Sequence, residues 1–214
     1  MNSAGIWHEI GHQFRNPSGV SGRLMGNVMR AINGRPNKLA IEALGIKSRD
    51  RILELGCGPG SALKAMSRLA PEGIVHGLDQ SAVMVAQAAR RNRAAILAGR
   101  VVLHQGRFDR IDLPDAAVDK VLAVNVIYFW IDVPAVLDEI RRVLRPGGNV
   151  SIYATDSSVM KNWKFAGPET HRLFDAASLA ACLRRGGFGD GDVRVTSVRA
   201  GLGVPGLIAR VATN

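Results

Sequence analysis

A glycine-rich turn flanked by acids carries the most specific chemistry in this chain. The segment Ile52-Leu53-Glu54-Leu55-Gly56-Cys57-Gly58-Pro59-Gly60 reads as a strand running into a turn. Glycines at alternate positions let the backbone turn sharply and let a ligand approach with no Cβ in the way. The spacing is GxGxG, not the GxGxxG of dinucleotide binders, and no Lys-Ser or Lys-Thr follows as a phosphate-cradling P-loop requires. About 20 residues further on, a second β-rich run ends in Gly77-Leu78-Asp79. A carboxylate there can accept both hydrogen bonds of a ribose diol. An acid at that point suits a nucleoside better than a nucleotide with a phosphate nearby.

A competing signature is His8-Glu9-Ile10-Gly11-His12, a literal H-E-x-x-H. On a helix this pattern puts two His on one face to bind zinc, with Glu9 as general base. Its context argues against a zinc hydrolase. It lies at the extreme N-terminus, and Gly11 weakens the helix. Arg15 and Ser18 stand where the extended motif needs Gly and His, and the next Glu is Glu42. No metal is expected, and His8 and His12 read better as a base or an anion contact in a lid.

The elements that must position these groups alternate. Arg51–Leu55, Ile74–Leu78, Val101–His104, Lys120–Val124 and Asn149–Ala154 read as strands, with further β-rich runs at Val193–Val198 and Leu207–Val211. Ser61–Leu69 is helix-like, and Ser81 can cap a helix through about Arg93. Val133, Val136, Leu137, Ile140, Val143 and Leu144 follow the i, i+3, i+4, i+7 pattern of a helix, which Arg145-Pro146-Gly147-Gly148 should stop. Ser178–Arg185 is another helix, and Pro36 is a reasonable helix start. Residues 1–35 look irregular and then weakly helical, an arm or lid before a main domain at 36–214. Strands alternating with helices imply βαβ units, a mostly parallel sheet and ligands beyond the strands' carboxyl ends.

The chain has 214 residues, 47% hydrophobic and 21% charged, which fits one globular domain and excludes a disordered or disulfide-stapled chain. Its two cysteines, Cys57 and Cys182, form no CxxC pair, so a reduced cytoplasmic protein is expected. There is no apolar run of membrane-spanning length and no signal-peptide pattern. The net charge is +10, and 22 of the 28 basic residues are Arg. Such a surface attracts anions, an anionic membrane surface among them. The densest cluster, Arg90 to Arg110, has no interleaved aromatic ladder, which argues against single-stranded nucleic acid.

In combination these motifs resemble the class I methyltransferases that use S-adenosylmethionine, in particular the small-molecule type. ELGCGPG, GLDQS, LPDAAVDKVLAVNVIYFW and the helix ending LRPGG stand in that family's order and spacing, over about residues 37 to 155. The resemblance implies an α/β, Rossmann-like, doubly wound seven-stranded sheet, mostly parallel with an antiparallel last strand, preceded by the N-terminal helical arm. It implies S-adenosylmethionine as cofactor and S-adenosylhomocysteine as product. Glu54, Gly56 and Gly58 would line the methionine part, with Cys57 and Gly60 shaping the loop. Asp79 would bind the ribose hydroxyls, with Gln80 beside the adenine. Gly106, Arg107 and Phe108 would flank the adenine ring, and Asn125 would sit near the sulfonium. The family often has an acid after Gly106, where this chain has Arg107. Asp109 or a backbone carbonyl then takes that part, or the adenine contact is looser.

Methyl transfer needs alignment more than acid–base chemistry, since the cofactor carries the activated group. Substrate-side candidates are Tyr128, Trp130 and Trp163, with Phe129 and the loop residues Met160 and Phe165. Base candidates are His8, His12, Tyr128 and His171. The expected acceptor is a small molecule or lipid. A nucleic-acid methyltransferase lacks its usual N-P-P-Y or D-P-P-Y sign here, where Asn125-Val126-Ile127-Tyr128 stands. A non-catalytic cofactor-binding module is the other alternative. The sequence leaves the acceptor atom and the oligomeric state open.

Overall fold

The computed structural model describes residues 7, 9, 11, 17, 19–167, 170–189 and 192–212, with backbone alone at 20–24, 27 and 28. His8 and His12 lie outside the described residues. Seven strands form one sheet in the order β3-β2-β1-β4-β5-β7-β6. These are β1 (Arg51–Leu55), β2 (Ile74–Asp79), β3 (Val101–Gln105), β4 (Val118–Val124), β5 (Leu144–Thr155), β6 (Val193–Arg199) and β7 (Pro205–Ala212). β1 through β5 pair in parallel, and β7 runs antiparallel between β5 and β6. This is the expected doubly wound sheet with an antiparallel last strand.

Helices cover both faces. They are α1 (Gly19–Ile32), α2 (Gly34–Leu44), α3 (Ser61–Leu69), α4 (Ala82–Arg91), α5 (Arg93–Leu97), α6 (Val133–Val143), α7 (Ser157–Met160) and α8 (Ala176–Arg185). Central strands are apolar on both faces because both are covered. In β1, Ile52, Leu53 and Leu55 are fully buried. α6 starts where the Asp132 side chain accepts from the Ala135 amide, and its Val133, Val136, Leu137, Ile140 and Val143 are all buried. One core lies between α6, α8 and the sheet; a second lies between α2, α3 and the other face.

Three expectations change. The helix after Ser81 breaks at Asn92, whose Nδ2 donates to the Gly60 carbonyl at 3.0 Å and the Ala88 carbonyl at 2.9 Å. The break ties the end of α4 to the glycine turn. Arg145-Pro146-Gly147-Gly148 is not a separate loop. β5 begins at Leu144, opposite Val118, and these residues form a bulge before Asn149 pairs with Lys120. The stretch read as weakly helical contains α1, a helix of 14 residues, and α2 begins two residues before Pro36. Both cysteines are free and buried. No helix of the described residues is long and apolar enough to cross a membrane.

Candidate cofactor and acceptor site

Strand order reverses between β1 and β4, and such switch points are where open parallel sheets bind ligands. A cavity of about 590 Å³ opens there, beyond the carboxyl ends of β1, β2, β4 and β5. That volume is typical of small-molecule sites.

The glycine turn forms its floor. Gly56 has φ +69°, and a Cβ on it would lie 2.6 Å from Val126 Cγ2. Gly60 has φ +76°, and a Cβ there would lie 2.9 Å from the Ala88 backbone. A side chain fits at neither position, so the sequence of the turn follows from close packing against β4 and α4 as well as from ligand access.

Two buried carboxylates face the cavity. Asp79 Oδ2 accepts from the Gly58 amide at 2.8 Å, and Oδ1 accepts from the Ser81 amide at 2.9 Å. A carboxylate offers about four lone-pair sites, so capacity remains for a diol. Burial pushes the Asp79 carboxyl up from 3.8, against the downward pull of the Ser81, Gly58 and Gln80 amides. Glu54, at the end of β1, is 3% exposed, and its Oε2 has no hydrogen-bond partner. Burial drives its carboxyl well above 4.5; Asp79 adds to the rise, and the Leu63 amide offsets part of it. Burial also raises the Cys57 thiol, with Asp79 and Glu54 adding to it. Cys57 is therefore a small apolar wall in its thiol form.

An orphaned buried carboxylate beside a second acid calls for a cationic ligand. A nucleoside with a ribose diol and positive charge, as S-adenosylmethionine has, fits this donor and acceptor set.

The floor beyond β4 is a polar cluster. Asn125 has φ +53°, a left-handed conformation that Asn tolerates better than most residues. Its Nδ2 donates to Asn33 Oδ1 at 2.8 Å, and its Oδ1 accepts from Tyr128 Oη at 2.8 Å and Thr155 Oγ1 at 3.2 Å. Tyr128 Oη in turn accepts from the Thr155 amide. Burial raises the Tyr128 phenol despite that bond.

The remaining wall is apolar: Phe129, Met160, Trp163, Phe165, Leu202 and Val204, with Tyr153 behind them. Trp163 stacks on Phe165 at 5.4 Å, and the Phe129 ring meets the buried His171 edge-on at 4.8 Å. His171 Nδ1 lies 2.9 Å from Thr170 Oγ1.

The structure thus gathers Glu54, Gly56, Cys57, Gly58, Asp79, Gln80, Phe108, Asn125, Tyr128, Trp163 and His171 around one cavity. Gly60, Gly106, Arg107 and Trp130 are not among its lining residues. Arg107 turns outward, exposed, and pairs with Asp109, which leaves that acid engaged there. Trp130 is 3% exposed in the core around α6. The short 3-10 turn Ile127–Phe129 directs Tyr128 and Phe129 to the cavity and the next residue inward. Sequence reasoning missed Met29, Ile32 and Asn33 at the end of α1, Tyr153 and Thr155 on β5, and Leu202 and Val204 before β7. The end of β5 was the one available signal, since ligands sit at strand ends.

Trp7, Gly11 and Pro17 each lie against an element that borders the cavity. Lys164 Nζ lies 5.8 Å over the Trp7 ring. A Cβ on Gly11 would lie 2.7 Å from the Phe165 carbonyl. Ser81 Oγ donates to the Pro17 carbonyl, and the Gly26 backbone lies against Gln87 of α4. Among the described residues no group of three His, Cys, Asp or Glu is placed to hold a metal.

Comparison with known proteins agrees with this geometry. Residues 53–152 match the family described as methyltransferase domain. The uncharacterized methyltransferase YdaC of Bacillus subtilis is 32% identical over 190 residues, which cover 89% of this chain and 99% of that protein. The sterol 24-C-methyltransferase of Eremothecium gossypii is 31% identical over 129 residues, 60% of this chain but 34% of that protein. A SAM-dependent methyltransferase from Aquifex aeolicus shares the fold at TM-score 0.66 and 21% identity, covering 86% of this chain and 93% of that one.

Proposed function

Because this chain belongs to the class I S-adenosylmethionine-dependent methyltransferases, we propose that its acceptor is an apolar small molecule or lipid-like compound. The observation that carries this is the two-ended cavity. Its anionic end, Glu54 and Asp79, matches the cofactor. Its aromatic end, Phe129, Trp163 and Phe165, has no charged side chain deep in the wall among the described residues.

When bound, S-adenosylmethionine would supply a methyl group activated on its sulfonium, with S-adenosylhomocysteine as the leaving group. The chain's own residues hold and orient. Asp79 takes the ribose diol, and Gln80 and Phe108 stand beside the adenine. Glu54 and the glycine turn hold the methionine part and offset positive charge. Asn125, locked by Tyr128 and Thr155, sets the floor near the reacting atoms. Positioning of this kind supplies ~7–11 kcal/mol of barrier reduction. The arm, residues 1–35, acts as a lid that excludes water, and 36–214 as the methyltransferase domain. His171 is the imidazole on the acceptor wall. A hydroxyl or amine acceptor would pass its proton there, and a carboxylate acceptor would need no base. The sterol methyltransferase relative supports a lipid-like acceptor.

The test is a turnover screen with methyl-labelled cofactor against matched apolar and polar acceptors. Apolar acceptors should turn over, and Trp163→Ala and Phe165→Ala should raise acceptor KM about ten-fold, the scale of a lost aromatic contact, with cofactor affinity unchanged. Turnover confined to polar or nucleic-acid acceptors, indifferent to both changes, would overturn the reading.

A further inference from the structure

The rim of the cavity is built unlike its floor. Ile32, the last residue of α1, is 51% exposed, and Leu202, between β6 and β7, is 105% exposed. Both also line the cavity, so both stand at its mouth. Leu202 has φ +57° in the short turn Gly201–Gly203. A branched aliphatic residue in a left-handed conformation, fully in water, gains nothing from the fold around it. Exposed apolar side chains at a site entrance mark a surface that meets something apolar.

Three exposed arginines flank these two side chains along the chain. Arg30 is exposed and lines the mouth, Arg35 follows it at the start of α2, and Arg199 precedes the Leu202 turn. Arg199 donates to the Gly203 carbonyl at 3.1 Å, so its guanidinium is held at the turn. No ion pair to Arg30, Arg35 or Arg199 occurs among the described residues. The lining carboxylates, Glu54 and Asp79, are buried at the far end. Exposed aliphatic tips flanked by Arg without ion pairs match the interface of an anionic bilayer, where acyl chains lie beneath phosphates. A nucleic acid would use the Arg but give Ile32 and Leu202 no contact.

We propose that the cavity mouth, Arg30, Ile32, Arg35, Arg199 and Leu202, docks on an anionic phospholipid surface, so that an apolar acceptor passes from the bilayer into the cavity without crossing water. The proposal rests on the apolar-acceptor reading. Two aliphatic tips and a few Arg give weak, reversible, salt-sensitive binding, since each basic residue near such a surface changes partition only about five-fold.

Sedimentation of the full chain, with cofactor and without acceptor, on vesicles of phosphatidylglycerol mixed with phosphatidylcholine tests it. Binding should rise with the phosphatidylglycerol fraction and vanish at about 0.5 M salt. Leu202→Asp, which suits a left-handed turn and so folds, and Arg30→Glu with Arg35→Glu should each reduce partition about ten-fold or more. Arg68→Glu, at the far end of α3, should change it less than about two-fold. Absent binding to phosphatidylglycerol, or Leu202→Asp binding as well as the parent, would overturn the proposal. So would poly(U) binding that falls equally with Leu202→Asp. Turnover of a water-soluble short-chain acceptor is measured separately, so failure of docking and failure of the acceptor reading are told apart.

Discussion

Glu54 shows how one residue trades stability for binding. Burial, with Asp79 beside it, raises its carboxyl well above 4.5, so the folded chain holds protons that the unfolded chain has released. Stability without cofactor therefore falls as pH rises from about 4.5 through the folded-state value. A cationic ligand reverses the balance, because it prefers both carboxylates ionised. Cofactor affinity should rise with pH across the joint titration of Glu54 and Asp79, with proton release on binding. Glu54→Gln should lower affinity about ten- to hundred-fold, remove most of that pH dependence, and make the cofactor-free chain more heat-stable above the folded-state pKa. Calorimetry in buffers of different ionisation enthalpy, with thermal melts at matched pH, checks all three. Equal proton release in the variant would remove Glu54 from the site.

At the scale of elements, an amide pair ties the N-terminal arm to the floor, Asn33 to Asn125 at 2.8 Å. That bond joins the end of α1 to the strained turn after β4, and Tyr128 and Thr155 hold the same Asn125 oxygen. Asn33→Ala should leave the sheet intact, since α2 and the strands keep their own burial. It should raise cofactor Kd by about three- to ten-fold, the scale of one buried hydrogen bond, and speed cofactor release. Stopped-flow release rates and near-UV circular dichroism would show this; an unchanged release rate means that the arm does not latch there. The glycines of α1 each cost about 1 kcal/mol of helix propensity, which is why residues 1–35 read as irregular. Tertiary contact outweighs that cost: the backbone at Gly26 sits against Gln87, a distance that a larger residue would widen. The bulge at Arg145–Gly148 was equally hidden. Pro and Gly signal a stop, and only the partner strand shows that Leu144 already pairs with Val118.

Across the whole molecule, local chemistry was legible and long-range assembly was not. Gly56, Gly58 and Asp79 announce themselves because their roles depend on the backbone immediately around them. β1 through β5 were legible because central strands and amphipathic helices alternate with their own periods. Tyr153, Leu202 and Ile32 carry no such mark. Each looks like any apolar residue until β5, the turn before β7 and α1 meet at one cavity. Trp130 failed in the opposite way: an aromatic run suggested a wall, and a 3-10 turn sent one ring to the core. The charge of +10 likewise gains meaning only when particular Arg are placed around a mouth.

The central claim is that the anionic end of this cavity holds S-adenosylmethionine through Asp79. Calorimetric titration of the full chain and of Asp79→Ala with S-adenosylmethionine tests it most directly. One-to-one binding should appear in the parent and weaken about ten- to hundred-fold in the variant, as expected for charged hydrogen bonds worth ~1.5–3 kcal/mol. Equal affinity in both proteins, or no binding in the parent, would contradict it.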